Sequence, residues 1–252
     1  MSRFFDTTKL EFRYEPYPIG RVSPMVDAAT YADMVAHFPP LDLFEYLPRL
    51  GNKYSLSETC HPAQYRAFIR ETPVWTHFDR WIHGPDFIPE VMETLLARHI
   101  DLGYRAGISW ARQTYKNIMG VLRGRRSHRG ARFKAVWEFQ VMPGQGGHIL
   151  PHTDAPSKVV TMTLAMLHDG EWEPAWGGGI DVNRARDSRF AYNQLNRQAT
   201  FDDMEVVDTI DFAPNTGVVF IKTFNSWHSV RPMSAPGQEN MRKNIIINIT
   251  AN

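Results

Sequence analysis

The chain has 252 residues, of which 43% are hydrophobic and 22% charged, with a formal net charge of +1. That balance suits a sizeable globular core and supplies no global electrostatic drive toward nucleic acid or a membrane surface. One cysteine, Cys60, excludes an internal disulfide and fits a reducing compartment; with no apolar run of about 18 residues and no apolar leader, a cytoplasmic protein is expected.

Along the chain, Lys9-Leu10-Glu11-Phe12-Arg13-Tyr14-Glu15 alternates apolar and charged residues, predicting a short strand closed by Pro16 and Pro18. Asp27 can cap a helix in which Tyr31, Met34, Val35 and Phe38 share one face, and Pro39-Pro40 ends it. Residues 41–60 read as irregular, with a turn at Gly51-Asn52-Lys53-Tyr54. Pro62 and Pro73 stand at first-turn positions of two short helices, 62–71 and 73–82. Phe87, Val91, Leu95 and Leu96 mark a fourth, longer helix over about 86–101.

After Gly103 a strand is expected at 107–116. The run from Arg123 to Arg132 then packs five arginines into ten residues. It reads as a solvated loop, or as a lid or patch for an anionic substrate; it has no interleaved aromatics for stacking bases. From 135 onward, short strands are predicted at 135–142, 158–167, 179–183, 205–211, 217–222, 227–231 and 243–250. Ile245-Ile246-Ile247-Asn248-Ile249 is apolar on both faces, which predicts a central, doubly covered strand. The expected fold class is α+β with a mainly β core, a sandwich or jelly roll. Residues 1–105 read as a mainly helical support and 106–252 as the core, within a single domain.

Chemistry concentrates in two distant segments. His152-Thr153-Asp154 places an imidazole and a carboxylate at i and i+2, which on an extended strand share a side. A second strand can bring His228 alongside. Two imidazoles and one carboxylate on one face of a metal leave other positions open, the pattern of non-haem Fe(II) oxygenase sites. His148 and His152 also have a spacing that suits a helical zinc site, but the flanking glycines and Pro151 argue for a loop.

The neighbours of these segments form a longer pattern. Val136–Met142 leads through Pro143-Gly144-Gln145-Gly146-Gly147 into the His-x-Asp motif. Then follow Trp176-Gly177-Gly178-Gly179-Ile180-Asp181, Phe212-Ala213-Pro214-Asn215-Thr216-Gly217-Val218-Val219-Phe220, His228-Ser229-Val230-Arg231-Pro232, and Arg242-Lys243-Asn244-Ile245-Ile246. This order, across 136–250, resembles the 2-oxoglutarate/Fe(II)-dependent oxygenases, in particular their prolyl-hydroxylase-like branch. The resemblance implies a double-stranded β-helix (jelly roll) core supported by N-terminal helices. It implies Fe(II), 2-oxoglutarate and O2 as cofactor and cosubstrates, with His152, Asp154 and His228 as metal ligands and the catalytic centre. Arg242 would pair with the distal carboxylate of 2-oxoglutarate, assisted by Asn244 and Gln140. Arg231 is the competing cation, but it lies three residues from His228 and so points to the opposite side of a strand. Lys243 has the outward parity.

The activity so implied is hydroxylation of a small-molecule substrate with release of succinate and CO2. The arginine run and Arg184, Arg186 and Arg189 favour an anionic substrate. The alternatives are a prolyl-type hydroxylase of peptide side chains and a zinc-dependent hydrolase built on the same three residues. No nucleic-acid or membrane partner is expected.

Overall fold

Asp27 begins the first helix, α1 (Ala28–Ala36), as the sequence predicts: its carboxylate accepts a hydrogen bond from the Thr30 N–H at 3.0 Å. The computed structural model describes residues 4–104 and 133–251, with three helical positions between them at 115, 118 and 119. The prolines open α2 (Pro62–Glu71) and α3 (Pro73–Ile82) at the expected residues. The next helix, α4 (Phe87–Leu96), is shorter than its pattern suggests and stops at Leu96, which is exposed. The expected strand at 107–116 and the arginine run 123–132 lie outside the described residues, apart from Tyr115, which is helical.

The described residues hold twelve strands: β1 (Glu11–Arg13), β2 (Ile19–Val22), β3 (Glu45–Leu47), β4 (Lys53–Ser57), β5 (Phe133–Pro143), β6 (Ile149–His152), β7 (Lys158–Ala165), β8 (Ile180–Ala185), β9 (Met204–Ile210), β10 (Gly217–Ile221), β11 (His228–Val230) and β12 (Met241–Ala251). They build an antiparallel eight-stranded sheet in the order β1-β2-β10-β7-β12-β5-β4-β3 and a four-stranded sheet in the order β6-β11-β8-β9. The fold is a double-stranded β-helix with helices packed on the larger sheet.

Four strands were not foreseen: β2, β6 and the two of the hairpin β3–β4. Residues 41–60 are therefore not irregular. Gly51 and Asn52 turn the hairpin with φ of 77° and 60°, and β4 then pairs with β5, Ser55 opposite Gln140. These strands are short, polar or proline-bearing, so period-2 alternation is faint in them. Gly51 meets a second demand: a Cβ there would overlap the carbonyl oxygen of His148, because the hairpin tip rests on the approach to the His-x-Asp motif.

The two faces of the larger sheet differ. β12 lies between β7 and β5, central as predicted. Ile245, Ile247 and Ile249 point to the helices and join the main hydrophobic core. Arg242, Asn244 and Ile246 point the other way, into a cleft between the sheets. The strand is thus not apolar on both faces, as its isoleucine run suggests. On the helix side, Trp75, Phe78, Trp137 and Phe139 interlock at edge and stacked geometries, with the Trp75 and Phe139 centroids 4.6 Å apart. Each such ring buries roughly 150–250 Å², several kcal/mol at about 25 cal/mol/Å².

A candidate metal centre

β6 and β11 pair so that His152 lies directly opposite His228. Cross-strand partners on one face bring their side chains together, and the two imidazole centroids stand 4.2 Å apart. Asp154 arrives differently from the sequence expectation. His152 ends its strand, and the chain then turns through Asp154 at φ 70°, a left-handed conformation that aspartate tolerates. The turn, not strand alternation, aims the carboxylate back at the histidines. One ligand atom from each of the three residues lies within 4.8 Å of the others.

The imidazole tautomers follow from their partners. The Nδ1 of His152 lies 2.9 Å from the Leu150 carbonyl, and the Nδ1 of His228 lies 2.9 Å from the Ser226 carbonyl. A carbonyl only accepts, so each Nδ1 carries the proton and each Nε2 keeps its lone pair. Burial, aided by His152, pushes His228 down to about 3, so it is neutral at physiological pH. Burial alone would raise the Asp154 carboxyl, but His152, His228 and Lys158 outweigh it and hold it well below the usual carboxylate range. Two neutral nitrogens and one carboxylate are the donor set of a divalent transition metal with open positions.

The three residues expected to hold the cosubstrate form one hydrogen-bonded chain. Arg242 Nη1 donates to Asn244 Oδ1 at 2.8 Å, and Asn244 Nδ2 to Gln140 Oε1 at 3.3 Å. Asn244 and Gln140 are direct cross-strand partners on β12 and β5. Arg242 Nε donates to the Gly178 carbonyl at 2.7 Å, and its guanidinium covers the Phe212 ring at 4.4 Å. Gly178, at φ 87°, supplies the backbone turn this contact needs. Among the described residues no carboxylate forms an ion pair with Arg242, although it is buried. Burial pushes its pKa down to about 10. A buried cation without an anion is costly, and an anionic ligand would offset that cost. The competing Arg231 is bound to Asp181 at 2.8 Å, and Lys243 to Glu171 at 2.5 Å.

Both groups line one cleft of about 420 Å³, the size of a small-molecule site. Its mouth is formed by the β3–β4 tip, by His148, and by Asn196 and Gln198 on the loop after β8. That loop is tied to the motif: Asn196 Oδ1 accepts from the Thr153 N–H, and Thr153 Oγ1 donates to the Asn193 carbonyl at 2.7 Å. His148 is the loop residue the sequence implies.

Three cleft residues, Thr161, Lys158 and Lys53, escaped the sequence, as did Ser55 behind the wall. Thr161 Oγ1 reaches Asp154 Oδ2 at 2.9 Å, and Lys158 Nζ reaches Asp154 Oδ1 at 2.7 Å. On the far wall Lys53 and Ser55 contact Glu138, at 3.4 and 2.5 Å. Thr161 is legible in hindsight, since Thr161 and Thr163 alternate with Met162 and Leu164 on β7. Lys158 is not. A register shift opposite Ile249 and Thr250 inserts one extra residue in β7, so Val159 and Val160 both face the core and Lys158 turns into the cleft. The arginines that suggested an anionic substrate stand elsewhere: Arg184 pairs with Glu205 and Arg189 with Asp187, while Arg186 bonds the Met204 carbonyl. None lines the cleft.

No protein-family model and no curated protein matches the sequence. Solved structures do. The non-haem α-ketoglutarate-dependent epimerase SnoN from nogalamycin biosynthesis aligns at 13% identity over 94% of this chain and 80% of its own, with a TM-score of 0.51. The two share a fold. A prolyl-4-hydroxylase from Pseudomonas putida aligns at 12% identity, 95% of each chain and a TM-score of 0.46. HygX from Streptomyces hygroscopicus, solved with nickel and 2-oxoglutarate bound, aligns at 9% identity, 92% and 82%, and a TM-score of 0.46. Among the described residues no helix is long and apolar enough to cross a membrane.

Proposed function

We propose that this protein is a non-haem Fe(II)- and 2-oxoglutarate-dependent oxygenase that hydroxylates a small-molecule substrate. The observation that carries this reading is the pairing, in one cleft, of a two-histidine, one-carboxylate cluster with a buried arginine that has no carboxylate partner among the described residues. A zinc hydrolase requires the first, whereas an enzyme that takes 2-oxoglutarate requires both. The fold shared with SnoN, an α-ketoglutarate-dependent enzyme, supports the same reading.

His152, His228 and Asp154 would hold the metal, and Arg242, with Asn244 and Gln140, the distal carboxylate of 2-oxoglutarate. The guanidinium presents paired donors that match a carboxylate. With metal and 2-oxoglutarate bound, the centre supplies oxidation of a substrate C–H bond by O2, with 2-oxoglutarate leaving as succinate and CO2. The Leu150 and Ser226 carbonyls keep both Nε2 atoms unprotonated for the metal, and Thr161 fixes the carboxylate so that Oδ1 faces the histidines. Ile180, Phe220 and Val230 line the cleft beside the histidines and exclude water. The enclosing hairpin tip and the loop carrying Asn196 favour a small molecule over an extended peptide.

The test is succinate formation from 2-oxoglutarate by purified protein under Fe(II) and O2. Asp154→Ala should lower it more than about a hundredfold. Turnover that persists without O2, or hydrolysis supported by zinc, would overturn the assignment.

A further inference from the structure

We infer that the substrate carries an anionic group, a carboxylate or a phosphate, seated against Lys158 beside the metal. This rests on the oxygenase reading. Lys158 lines the cleft, is largely buried, and reaches Asp154 Oδ1, the oxygen that also faces His152 Nε2 at 3.7 Å. The β-bulge at Val159 spends a ladder position to turn this lysine inward.

Charge decides what Lys158 is for. In the loaded site, Asp154 and the two carboxylates of 2-oxoglutarate balance a divalent metal and Arg242. The other buried pair, Lys53 and Glu138, balances itself. Arg49 sits at the mouth, exposed and solvated. Among the described residues lining the cleft, Lys158 is the cation left without a counter-charge, because Asp154 cannot neutralise both the metal and an ammonium. A partly buried cation beside the metal position attracts an anion.

The experiment loads the full chain with Mn(II) and 2-oxoglutarate and reads paramagnetic relaxation of small probes by NMR: acetate and inorganic phosphate, with acetamide as the neutral control. Acetate or phosphate should bind about tenfold or more tightly than acetamide; which anion does so separates the two sources. Lys158→Met should abolish the preference and Lys158→Arg should keep it. An anion that merely ligates the metal would keep its preference in Lys158→Met, and that result overturns the inference. So does equal binding of acetate, phosphate and acetamide by the unaltered protein. If Lys158→Met fails to take up Mn(II), Lys158→Gln is read in the same way. A protein that binds no 2-oxoglutarate overturns the oxygenase reading itself, and this inference with it.

Discussion

The two faces of the eight-stranded sheet are made from the same strands and do opposite work. Toward the helices, β5 and β12 present Trp137, Phe139, Ile245, Ile247 and Ile249, packed with Trp75 and Phe78. Toward the cleft the same strands present Glu138, Gln140, Arg242 and Asn244. One face lowers the free energy of the fold by burying apolar surface. The other holds buried polar groups that cost stability and are bonded in chains running toward a ligand. The physics that separates them is only the two-residue period of a strand. Substitutions one position apart should therefore fail in different assays.

Trp75→Ala is the largest expected effect and belongs entirely to the outer face. The indole is fully buried against Phe78, Trp137 and Phe139, and its Nε1 donates to the His37 carbonyl at 2.6 Å. Removing it should cost about 3–5 kcal/mol in urea unfolding. Metal affinity of the molecules that remain folded should not move. A parallel loss of metal affinity would break the separation of the two faces.

Arg242→Met is the converse. Loss of two hydrogen bonds, each worth about 1 kcal/mol, is offset by relief of a desolvated cation, so unfolding free energy should change by less than about 1 kcal/mol. Binding of 2-oxoglutarate to the Mn(II)-loaded protein should weaken by about one to two orders of magnitude, the worth of a charged hydrogen-bonded pair. Calorimetric titration measures the second and urea unfolding the first. A protein that instead unfolds, with cosubstrate affinity intact, would make Arg242 a structural residue.

The outer face was the more legible of the two. First-turn prolines placed α2 and α3 to the residue, and apolar alternation placed seven of the eight strands from β5 onward within a few residues, β6 being the exception. The inner face was read through motif order instead, which named His152, Asp154, His228, Arg242, Asn244 and Gln140, all of them in the cleft lining, but not what supports them. Lys158 stayed hidden because a bulge reverses its parity, and parity is all a sequence offers for a strand. Lys53 and Ser55 stayed hidden because their hairpin is short and polar, and its strands exist through pairing with β5 rather than through their own pattern. Asp154 was found for a reason the structure corrects, since a left-handed turn delivers it rather than an extended strand.

The smallest effect sits where the outer face admits a polar group. Asp79 on α3 accepts from Trp137 Nε1 at 2.9 Å and pairs with His83 Nδ1 at 3.1 Å. Burial would raise the Asp79 carboxyl, but the bonds from His83 and Trp137 outweigh it and leave its pKa below 3.8. The bond to Asp79 raises His83 above 6.5. The signs then fix a window. The lowered carboxyl contributes stability above its unfolded pKa and loses it as pH falls through the folded value. The raised imidazole contributes stability below its unfolded pKa and loses it as pH rises through the folded value. The pair therefore stabilises most at about pH 5–6. With His83 more than a third exposed, the gain is under about 1 kcal/mol. In urea unfolding, the deficit of His83→Gln relative to the unaltered protein should be greatest at about pH 5–6 and fade by about pH 9. A deficit that is flat in pH would mean that the ring serves through packing alone, and that the outer face is apolar in function even where it carries charge.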